Sequence, residues 1–438
     1  MLLSLALDAT ARPCDIYARA GSPCVAAHST VRALYADFDG PLYQLKRADN
    51  ATIDISVNAL GYADADAQEA FCSGTSCVMQ RIYDQSAMAN HLDPAPASKA
   101  SYGKDHPCPR QKPATPVDAM KHPLVLNGTH RVYGAWFEQC NGYRNDKTNG
   151  IAKLNEEESI YMVTSGERFN DGCCFDYGNA ELDNLDDGDG TMETVYFGNA
   201  HWQNNTGFGE GPWVGIDLEN GMYYGSNVSQ PSNKPLTHEF VTAMVKGRSD
   251  SMAILGGDAT SGALQTMYDG PRPPPAAAGV KPGGGYQPMK KQGSIVLGVG
   301  GDNARDAIGI FYEGVMTKGL STDAADEAVQ ANIVSAGYAS TSTPQLTRSS
   351  TNAPSSRADE APLNSAARAS TRDRAPRVYL QRKKQIKMQE TQSKLMRAKL
   401  RPTIARGGDA GHPRFYAARC YLPDSCLMSG LGGGRSRR

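Results

Sequence analysis

Dense turn signals are the feature that most limits the folds open to this chain. The dipeptides Asn-Gly and Asp-Gly favour tight β-turns. They begin at Asp39, Asn127, Asn141, Asn149, Asp171, Asp187, Asp189, Asn220 and Asp269. Between them lie short stretches that mix apolar alternation with brief continuous apolar runs, the pattern of two packed sheets. Short strands with frequent glycine turns predict an all-β fold, a β-sandwich or jelly roll.

Individual elements can be placed on this pattern. The clearest strand candidates are residues 158–164, 192–197, 240–245 and 294–299. Helical periodicity is scarce, and it is best at residues 64–71 and 323–336. A Pro- and Gly-rich stretch at 271–293 reads as a surface loop, because a strand-like run resumes after it.

Charge divides the 438 residues unevenly, although the formal net charge is only −1. Residues 339–438 hold 20 Lys and Arg against 6 Asp and Glu, which leaves 25 basic and 40 acidic residues for the rest. An acidic body argues against nucleic acid or an anionic membrane as a partner. We predict a leader at 1–12, one globular unit at 13–338, and a basic, low-complexity, disordered tail at 339–438. The apolar residues 1–7 resemble the stub of a signal peptide.

Cysteines and sequons indicate an oxidising, secretory route. Two cysteine pairs would close short loops, Cys14 with Cys24 and Cys72 with Cys77. N-glycosylation sequons stand at Asn50, Asn127, Asn204 and Asn227. The sequence contains no Cys-x-x-Cys pair and no Cys/His zinc spacing, so we expect no metal and no cofactor.

Cys173 and Cys174 are adjacent, which leaves each with few options. They could pair with distant cysteines, or one could be a buried thiol beside a bridged one. Chemistry alone favours these arrangements, because a bond between neighbours lies outside the usual Cα separation. The functional alternative is a stiff, apolar disulfide at the floor of a pocket. The residues themselves leave the choice open.

Carboxylates beside turns are the remaining chemical theme, since no G-x-S-x-G elbow, P-loop or H-E-x-x-H spacing occurs in the sequence. Asp217 and Glu219 would share a face of a strand that Asn220 and the following glycine turn away. Asp302 follows an apolar strand and two glycines. Further candidates are Glu193 and Glu313, and aromatic stacking surfaces for a sugar are Trp202, Trp213, Tyr223 and Tyr224. A glycosidase needs two such acids, but nothing in the pattern selects the reacting pair.

Nine runs, in order over residues 13–338, carry a resemblance to a known family. They are Pro13-Cys-Asp-Ile-Tyr17, Thr30-Val-Arg-Ala-Leu-Tyr35, Gly40-Pro-Leu-Tyr-Gln44, Ile82-Tyr-Asp-Gln85, Cys173-Cys-Phe-Asp-Tyr-Gly-Asn-Ala-Glu181, Gly211-Pro-Trp213, Asp217-Leu-Glu-Asn-Gly221, Gly300-Gly-Asp-Asn303 and Phe311-Tyr-Glu-Gly-Val-Met316. The body resembles the catalytic domain of fungal α-L-arabinofuranosidases of glycoside hydrolase family 54. The resemblance implies a β-sandwich of jelly-roll, concanavalin-like type. It also implies a secreted, retaining enzyme that removes terminal α-L-arabinofuranosyl groups from arabinoxylan- or arabinan-type polymers.

The resemblance also assigns residues. It places the nucleophile at Glu219 and the general acid/base at Asp302, and it makes Cys173 and Cys174 a disulfide that contacts the sugar. It places Asp217, Asn220, Gly301 and Trp202 around the arabinose. It pairs Cys14 with Cys24 and Cys72 with Cys77.

Two departures from the family pattern stand out. The chain after residue 338 shows no pattern of the family's usual C-terminal arabinose-binding β-trefoil, and Cys108 and Cys140 lie outside the matching runs, where they either pair or stay as thiols. The expected partner is an arabinose-containing plant polysaccharide, and the protein is expected to be an extracellular monomer. The alternatives are a non-catalytic, lectin-like sandwich and the inactive product of a damaged gene.

Overall fold

The structure is a computed structural model that describes residues 10–98, 108–201, 205–226, 229–274 and 285–341. All of these residues belong to one compact unit. Within them no helix is long and apolar enough to cross a membrane.

Three helices and twenty strands make up the described part of this unit. In chain order they are α1 (Pro13–Arg19), β1 (Cys24–Ser29), β2 (Pro41–Arg47), β3 (Thr52–Ser56), α2 (Ala65–Cys72), β4 (Cys77–Ile82), β5 (Asp93–Pro94), β6 (Pro123–Leu126), β7 (His130–Tyr133), β8 (Ala135–Phe137), β9 (Tyr143–Asn145), β10 (Glu158–Thr164), β11 (Asp176–Ala180), β12 (Glu193–Gly198), β13 (Trp213–Asp217), β14 (Met222–Tyr223), β15 (Val241–Gly247), β16 (Ser251–Asp258), β17 (Gln265–Pro271), β18 (Ser294–Leu297), β19 (Gly309–Thr317), α3 (Asp323–Ser335) and β20 (Ala339–Ser340).

Two seven-stranded antiparallel sheets form the framework. The first has the order β1-β19-β10-β15-β16-β17, with β8 paired to β19, and the second has the order β14-β13-β12-β11-β18-β9-β5. Strands β10, β15 and β16 of the first sheet pack on β11, β12 and β13 of the second. Two three-stranded sheets, β3-β2-β4 and β20-β6-β7, complete the unit. The predicted all-β sandwich of jelly-roll type is confirmed.

Burial explains which stretches become central strands. Strands β10, β15 and β19 are buried along their whole length, so their near-continuous apolar sequences are covered on both faces. Strand β17 lies at an edge and is largely exposed. It ends at Pro271, and proline is tolerated at an edge because it lacks a ladder donor.

The predicted elements lie close to the observed ones. The four strand candidates correspond to β10, β12, β15 and β18, and the two helix candidates correspond to α2 and α3. Both helices have side-chain caps: Asp64 accepts from the N–H of Ala67, and Thr322 accepts from the N–H of Ala325. Helix α1 was not predicted, because seven residues are too few to show helical periodicity.

The ends of the unit extend beyond the predicted limits of 13 and 338. Arg12 donates to the carbonyls of Ala33 and Leu60, so it is part of the fold. Residues 339–340 form β20, which pairs with β6. The predicted leader residues 1–9, the tail residues 342–438 and loop residues 275–284 lie outside the described residues. The division into three segments therefore stays a prediction.

Four disulfides connect the described residues: Cys14–Cys24, Cys72–Cys77, Cys108–Cys140 and Cys173–Cys174. The first joins α1 to the start of β1, and the second joins the end of α2 to the start of β4. Both close short loops, so each removes freedom from the unfolded chain over a few residues only.

A buried ion pair fixes β19 to the loop after β1. Arg32 donates through Nε and Nη2 to both oxygens of Glu313, at 2.6 and 2.8 Å. The hydroxyl of Tyr338 donates to the same carboxylate at 2.7 Å. Glu313 is fully buried, so its charge depends on these donors for the solvation that water would give.

Loss of one partner of this pair should be costly. In Arg32→Met the carboxylate of Glu313 stays buried without its counter-charge, and we expect unfolding to become about 3–5 kcal/mol easier. Urea unfolding with matched m-values measures this loss. The double variant Arg32→Met/Glu313→Gln should recover part of the stability.

A surface pair provides the control for this experiment. Arg248→Met breaks the partly exposed ion pair with Asp269, and it should change stability by at most about 1 kcal/mol. Similar losses in Arg32→Met and Arg248→Met would contradict the argument.

Candidate active site

The candidate site lies on the outer face of the second sheet, away from the first sheet. Val214 and Ile216 of β13 point into the main core. By strand alternation, Trp213 and Asp217 therefore point the other way. Trp213 belongs to a separate buried aromatic cluster that includes Cys174.

A tight turn carries Glu219 at the end of β13. Strands β13 and β14 pair through Asp217 and Met222, and the N–H of Leu218 donates to the carbonyl of Gly221. The two residues between, Glu219 and Asn220, have φ values of 60° and 55°. Positive φ at both central positions is typical of a type I′ hairpin turn.

This turn corrects one prediction. Strand β13 ends at Asp217, so Glu219 does not follow the strand alternation that would place both acids on one face. Instead the N–H of Glu219 donates to Oδ1 of Asp217 at 3.0 Å. A glutamate in the left-handed region costs roughly 1–2 kcal/mol. Strain of this kind at a polar residue points to function.

Buried acids surround this turn. Glu181 follows β11 directly, and its carboxyl group contacts that of Glu219. Asp176, at the start of β11, contacts Asp217 in the same way. Among the described residues, the carboxylate oxygens of Glu181 receive no N–H or O–H donor. Two ionised carboxylates in contact repel each other in a buried place, so each contact favours a state in which one group keeps its proton.

The pKa values follow from this arrangement. Burial raises the pKa of Glu219 well above its ordinary value, and contact with Glu181 raises it further. Burial raises the pKa of Asp217 to about 7, against the opposing hydrogen bond from the N–H of Glu219. Burial also raises the pKa values of Asp176 and Glu181. The cluster thus retains protons that exposed carboxylates would lose, as is typical of functional sites.

Asp302 lies on the loop after β18. Its Oδ1 accepts from the N–H of Ala304 at 2.8 Å, and its Oδ2 accepts from Arg110 Nη1 at 3.1 Å. Burial raises the pKa of Asp302 to about 6, against the opposing hydrogen bonds from the N–H of Ala304 and from its own N–H. A carboxyl group with such a pKa can exchange a proton near neutral pH.

Cys173 and Cys174 form a disulfide beside these acids. Sγ of Cys174 lies 3.5 Å from Oδ2 of Asp217. Since this sulfur carries no hydrogen, the approach is a contact and not a hydrogen bond. Cys174 is buried and Cys173 is partly exposed. Gly300 packs on the pair, and a β-carbon there would lie 3.2 Å from each sulfur. The disulfide is therefore an apolar wall next to Asp217.

A metal-like cluster lies at the same place. Atoms of Cys174, Asp176 and Asp217 approach within 4.8 Å of one another. A cysteine binds metal as its thiolate, and the sulfur of Cys174 is already bonded to Cys173. As a disulfide, this group does not fit a metal-ligand set.

One arginine joins the loops of the site. Arg144 of β9 donates through Nη2 to the carbonyl of Glu181 and through Nη1 to the carbonyl of Gly301. Gly301 in turn lies against the Glu181 side chain, and a β-carbon on it would overlap the carboxylate. Glu181 is therefore in contact with Glu219 on one side and with the neighbour of Asp302 on the other.

Most residues assigned by the resemblance come together here. The structure gathers Cys173, Cys174, Asp217, Glu219, Asn220, Gly301 and Asp302. Trp202 and the sequons at Asn204 and Asn227 lie outside the described residues, whereas Asn50 and Asn127 are exposed at turns.

Other candidates are not part of the site. Glu193 is paired with Lys291 and Arg272 in the interior, and Glu313 is paired as described above. Trp213, Tyr223 and Tyr224 are fully buried, so they cannot present a face to a sugar, and that prediction was wrong.

Four residues of the site were not predicted: Asp176, Glu181, Arg110 and Arg144. Asp176 and Glu181 do lie in the run that begins at Cys173, but nothing in their spacing marks them as acids that contact Asp217 and Glu219. Arg110 and Arg144 lie outside all the matching runs.

Comparison with known proteins identifies the family. A family model described as "Alpha-L-arabinofuranosidase B, catalytic" matches residues 13–339. The chain belongs to this family. The resemblance to glycoside hydrolase family 54 is thereby confirmed.

Relatives of this arabinofuranosidase B family member are close in sequence and structure. A "Probable alpha-L-arabinofuranosidase B" of Aspergillus fumigatus is 47% identical over 348 residues, which is 77% of this chain and 65% of that protein. An "Arabinofuranosidase/B-xylosidase" of Trichoderma koningii is 47% identical over 347 residues, with the same shares. The chain thus spans about two thirds of the length of these relatives.

A solved structure agrees with these relatives. It is an arabinofuranosidase complexed with arabinofuranosyl-α-1,2-xylobiose, with a TM-score of 0.70 and 44% identity. The match covers 75% of this chain and 66% of that one.

The contact between Glu181 and Glu219 leads to a prediction about stability in this arabinofuranosidase family member. Groups whose pKa values are raised on folding bind protons more tightly in the folded state, so stability falls as pH rises above the unfolded value near 4.5. Glu181→Gln removes one such group and supplies an N–H donor for Glu219. The free energy of unfolding of the variant should therefore exceed that of the parent by about 1 kcal/mol or more at pH 8. This difference should shrink towards pH 4.

Urea midpoints at the two pH values measure this difference. Glu327→Gln, at an exposed position of α3, controls for the lost charge. The contact has no energetic consequence if Glu181→Gln and Glu327→Gln follow the same pH dependence.

Proposed function

We propose that the protein is a secreted, retaining α-L-arabinofuranosidase that removes terminal non-reducing arabinofuranosyl groups. The observation that carries the proposal is the set of contacts that brings the Glu219 turn, the Asp302 loop and the Cys173–Cys174 wall together, in a chain of this family. Two carboxyl groups with different surroundings are what glycosidic cleavage requires.

The first step uses both acids. Asp302, as the carboxylic acid, gives its proton to the glycosidic oxygen. A carboxylate oxygen of Glu219 forms a bond to the anomeric carbon as the bond to that oxygen breaks, and the leaving sugar departs as an alcohol. The result is an arabinosyl ester of Glu219.

The second step restores the enzyme. A water oxygen attacks the anomeric carbon, its proton passes to the carboxylate of Asp302, and the ester bond to Glu219 breaks. Arabinose leaves with the configuration it had in the substrate. The raised pKa of Asp302, about 6, suits a group that must act as acid and then as base.

Electrostatics supports Glu219 as the attacking group. Its high pKa results from burial and from contact with Glu181. A transition state of oxocarbenium character brings positive charge next to Glu219, which favours the ionised carboxylate at the moment of attack. The contact with Glu181 also limits the positions that the Glu219 side chain can adopt.

The substrate class follows from the relatives. The solved structure of a relative carries an arabinofuranosyl group on xylobiose, so we propose arabinoxylan- and arabinan-type polymers as substrates. The disulfides are typical of an oxidising, extracellular setting. Exposed turns at Asn50 and Asn127 are sterically open to N-glycosylation.

Substitution of the two acids tests the proposal. Glu219→Gln should lower kcat/KM for 4-nitrophenyl α-L-arabinofuranoside by at least about 10⁴-fold, because the nucleophile is lost. Asp302→Asn should lower it by about 10²–10⁴-fold for an arabinosyl xylooligosaccharide, and by less for the nitrophenyl substrate, whose leaving group needs little protonation. NMR of the first-formed anomer should show retention.

Asp183→Asn is the matched control, because Asp183 is an exposed acid near the end of β11. It should keep the parent activity. Near-parental turnover by Glu219→Gln would overturn the assignment. Sugar binding without turnover in the parent protein would favour the lectin-like alternative.

A second activity, β-xylosidase, is supported by the name of the Trichoderma koningii relative. The two pentoses are similar in size and hydroxyl content. We expect weak hydrolysis of 4-nitrophenyl β-D-xylopyranoside, abolished by the same Glu219→Gln substitution. Xylosidase activity that survives Glu219→Gln would point to a contaminant or a different site.

A further inference from the structure

A disulfide-anchored segment brings Arg110 to the site. Cys108 is bonded to Cys140 in the loop between β8 and β9. Arg305 donates through Nη2 to the carbonyls of Pro109 and Lys112, at 2.5 and 2.7 Å. The backbone is thus fixed on both sides of Arg110.

Two further hydrogen bonds hold the segment and its disulfide partner, and one of them involves the loop of Asp302. The N–H of Cys140 donates to the carbonyl of Arg305 at 2.9 Å, and the N–H of Ser98 donates to the carbonyl of Arg110 at 2.7 Å. The segment 108–112 and the loop that carries Asp302 therefore hold each other in place.

The side chain of Arg110 completes the surroundings of the Asp302 carboxylate. Arg110 Nη1 lies 3.1 Å from Oδ2, while the N–H of Ala304 donates to Oδ1. Both side chains are only about one seventh exposed, at 15% and 14%. An ion pair that is this dry is worth more than a surface pair.

We propose that Arg110 is a positioning residue for the acid/base step, held against Asp302 by the Cys108–Cys140 segment. This proposal rests on the proposed function of Asp302. Arg110 fixes the orientation of the carboxyl group and stabilises the carboxylate that remains after the proton has been given to the leaving sugar. The same fixed orientation serves Asp302 when it accepts the proton of water in the second step.

Most of the other charged groups around Asp302 are acidic, so its carboxylate needs a contacting cation to stabilise it. Asp306 on the same loop acts on it as a like charge. Glu219, from the turn after β13, lies in the field of Arg110, and Glu181 packs on Gly301. Arg305 is a second cation near Arg110, but it is engaged with the carbonyls of the segment. Arg110 is thus the cation in direct contact with Asp302 among the described residues.

Three variants separate the charge of Arg110 from its bulk. Arg110→Gln removes the charge, Arg110→Lys keeps it, and Lys112→Gln removes an exposed charge from the same segment. The plot of kcat/KM against pH has two limbs, and the limb whose midpoint matches the pKa of Asp302 measured by NMR reports the protonation of Asp302. Loss of a contacting cation raises the pKa of a carboxyl group. We expect the midpoint of this limb to shift to higher pH by about one unit in Arg110→Gln. The midpoint should stay within a few tenths of a unit of the parent value in Arg110→Lys, and it should not shift in Lys112→Gln.

A second measurement does not depend on activity. Titration of ¹³C-labelled aspartate by NMR, with Asp302→Asn to assign the signal, gives the pKa of Asp302 directly. It should rise by about one unit in Arg110→Gln. The double variant Cys108→Ala/Cys140→Ala should shift the pKa in the same direction by less, because the segment loosens.

The outcomes separate the two proposals. If Arg110→Gln lowers kcat but shifts neither the midpoint of the limb nor the pKa of Asp302 measured by NMR, Arg110 has only a structural role and the inference is overturned. If the pKa of Asp302 rises in Arg110→Gln but the parent protein does not hydrolyse arabinofuranosides, the ion pair is supported and the proposed function is refuted. Equal shifts in Arg110→Gln and Lys112→Gln would also overturn the inference, since long-range charge would then suffice.

Discussion

The site depends on one buried guanidinium. Arg144 lies on β9, at the side of the second sheet, and it binds the backbone of Glu181 and of Gly301 at the same time. These residues follow β11 and β18, which are neighbours in the second sheet, and the arginine fixes the two loops to each other beyond the paired strands. Its Nε is paired with Asp146 at 2.5 Å, so the guanidinium is held on its other side as well. The arginine therefore holds the loop of Glu181 against the loop of Asp302.

Joining these loops concentrates negative groups in a dry place. Asp176, Glu181, Asp217 and Glu219 are all buried, and desolvation is the first cause of every raised pKa among them. Such a cluster opposes folding as pH rises, and the left-handed conformation of Glu219 adds to the cost. The rest of the sandwich must offset this cost. Continuous apolar strands that are buried on both faces are features that do so.

The sequence predicted the framework better than the surroundings of the site. Turn dipeptides and apolar runs located β10, β12, β15 and β18, because burial of a strand leaves a local pattern. The tight turn at Glu219 was displaced by one residue from the Asn220-Gly221 pair that signalled it. A local signal marks that a turn occurs, whereas strand pairing decides which residues are central in it.

Contacts between distant segments left no such pattern. The assignments at Asp302 and Glu219 came from family resemblance, not from spacing, and their roles stay proposals. Arg110, Arg144 and Glu181 could not be predicted, since each acts through partners that only the fold brings near. Trp213 shows the converse: an aromatic residue beside a candidate acid reads as a sugar platform, but sheet packing buries it.

The disulfide between Cys173 and Cys174 suits the electrostatics of this site. The position of the two cysteines in the sequence could not show why. A thiolate beside Asp217 would add like charge to a cluster that already retains protons. A disulfide is neutral, donates no hydrogen bond and presents a polarisable surface. It can therefore contact the C–H face of a sugar while the carboxyl groups around it accept from hydroxyls. In this site the disulfide forms a wall that carries no charge. A neutral wall adds no like charge to the four buried acids beside it.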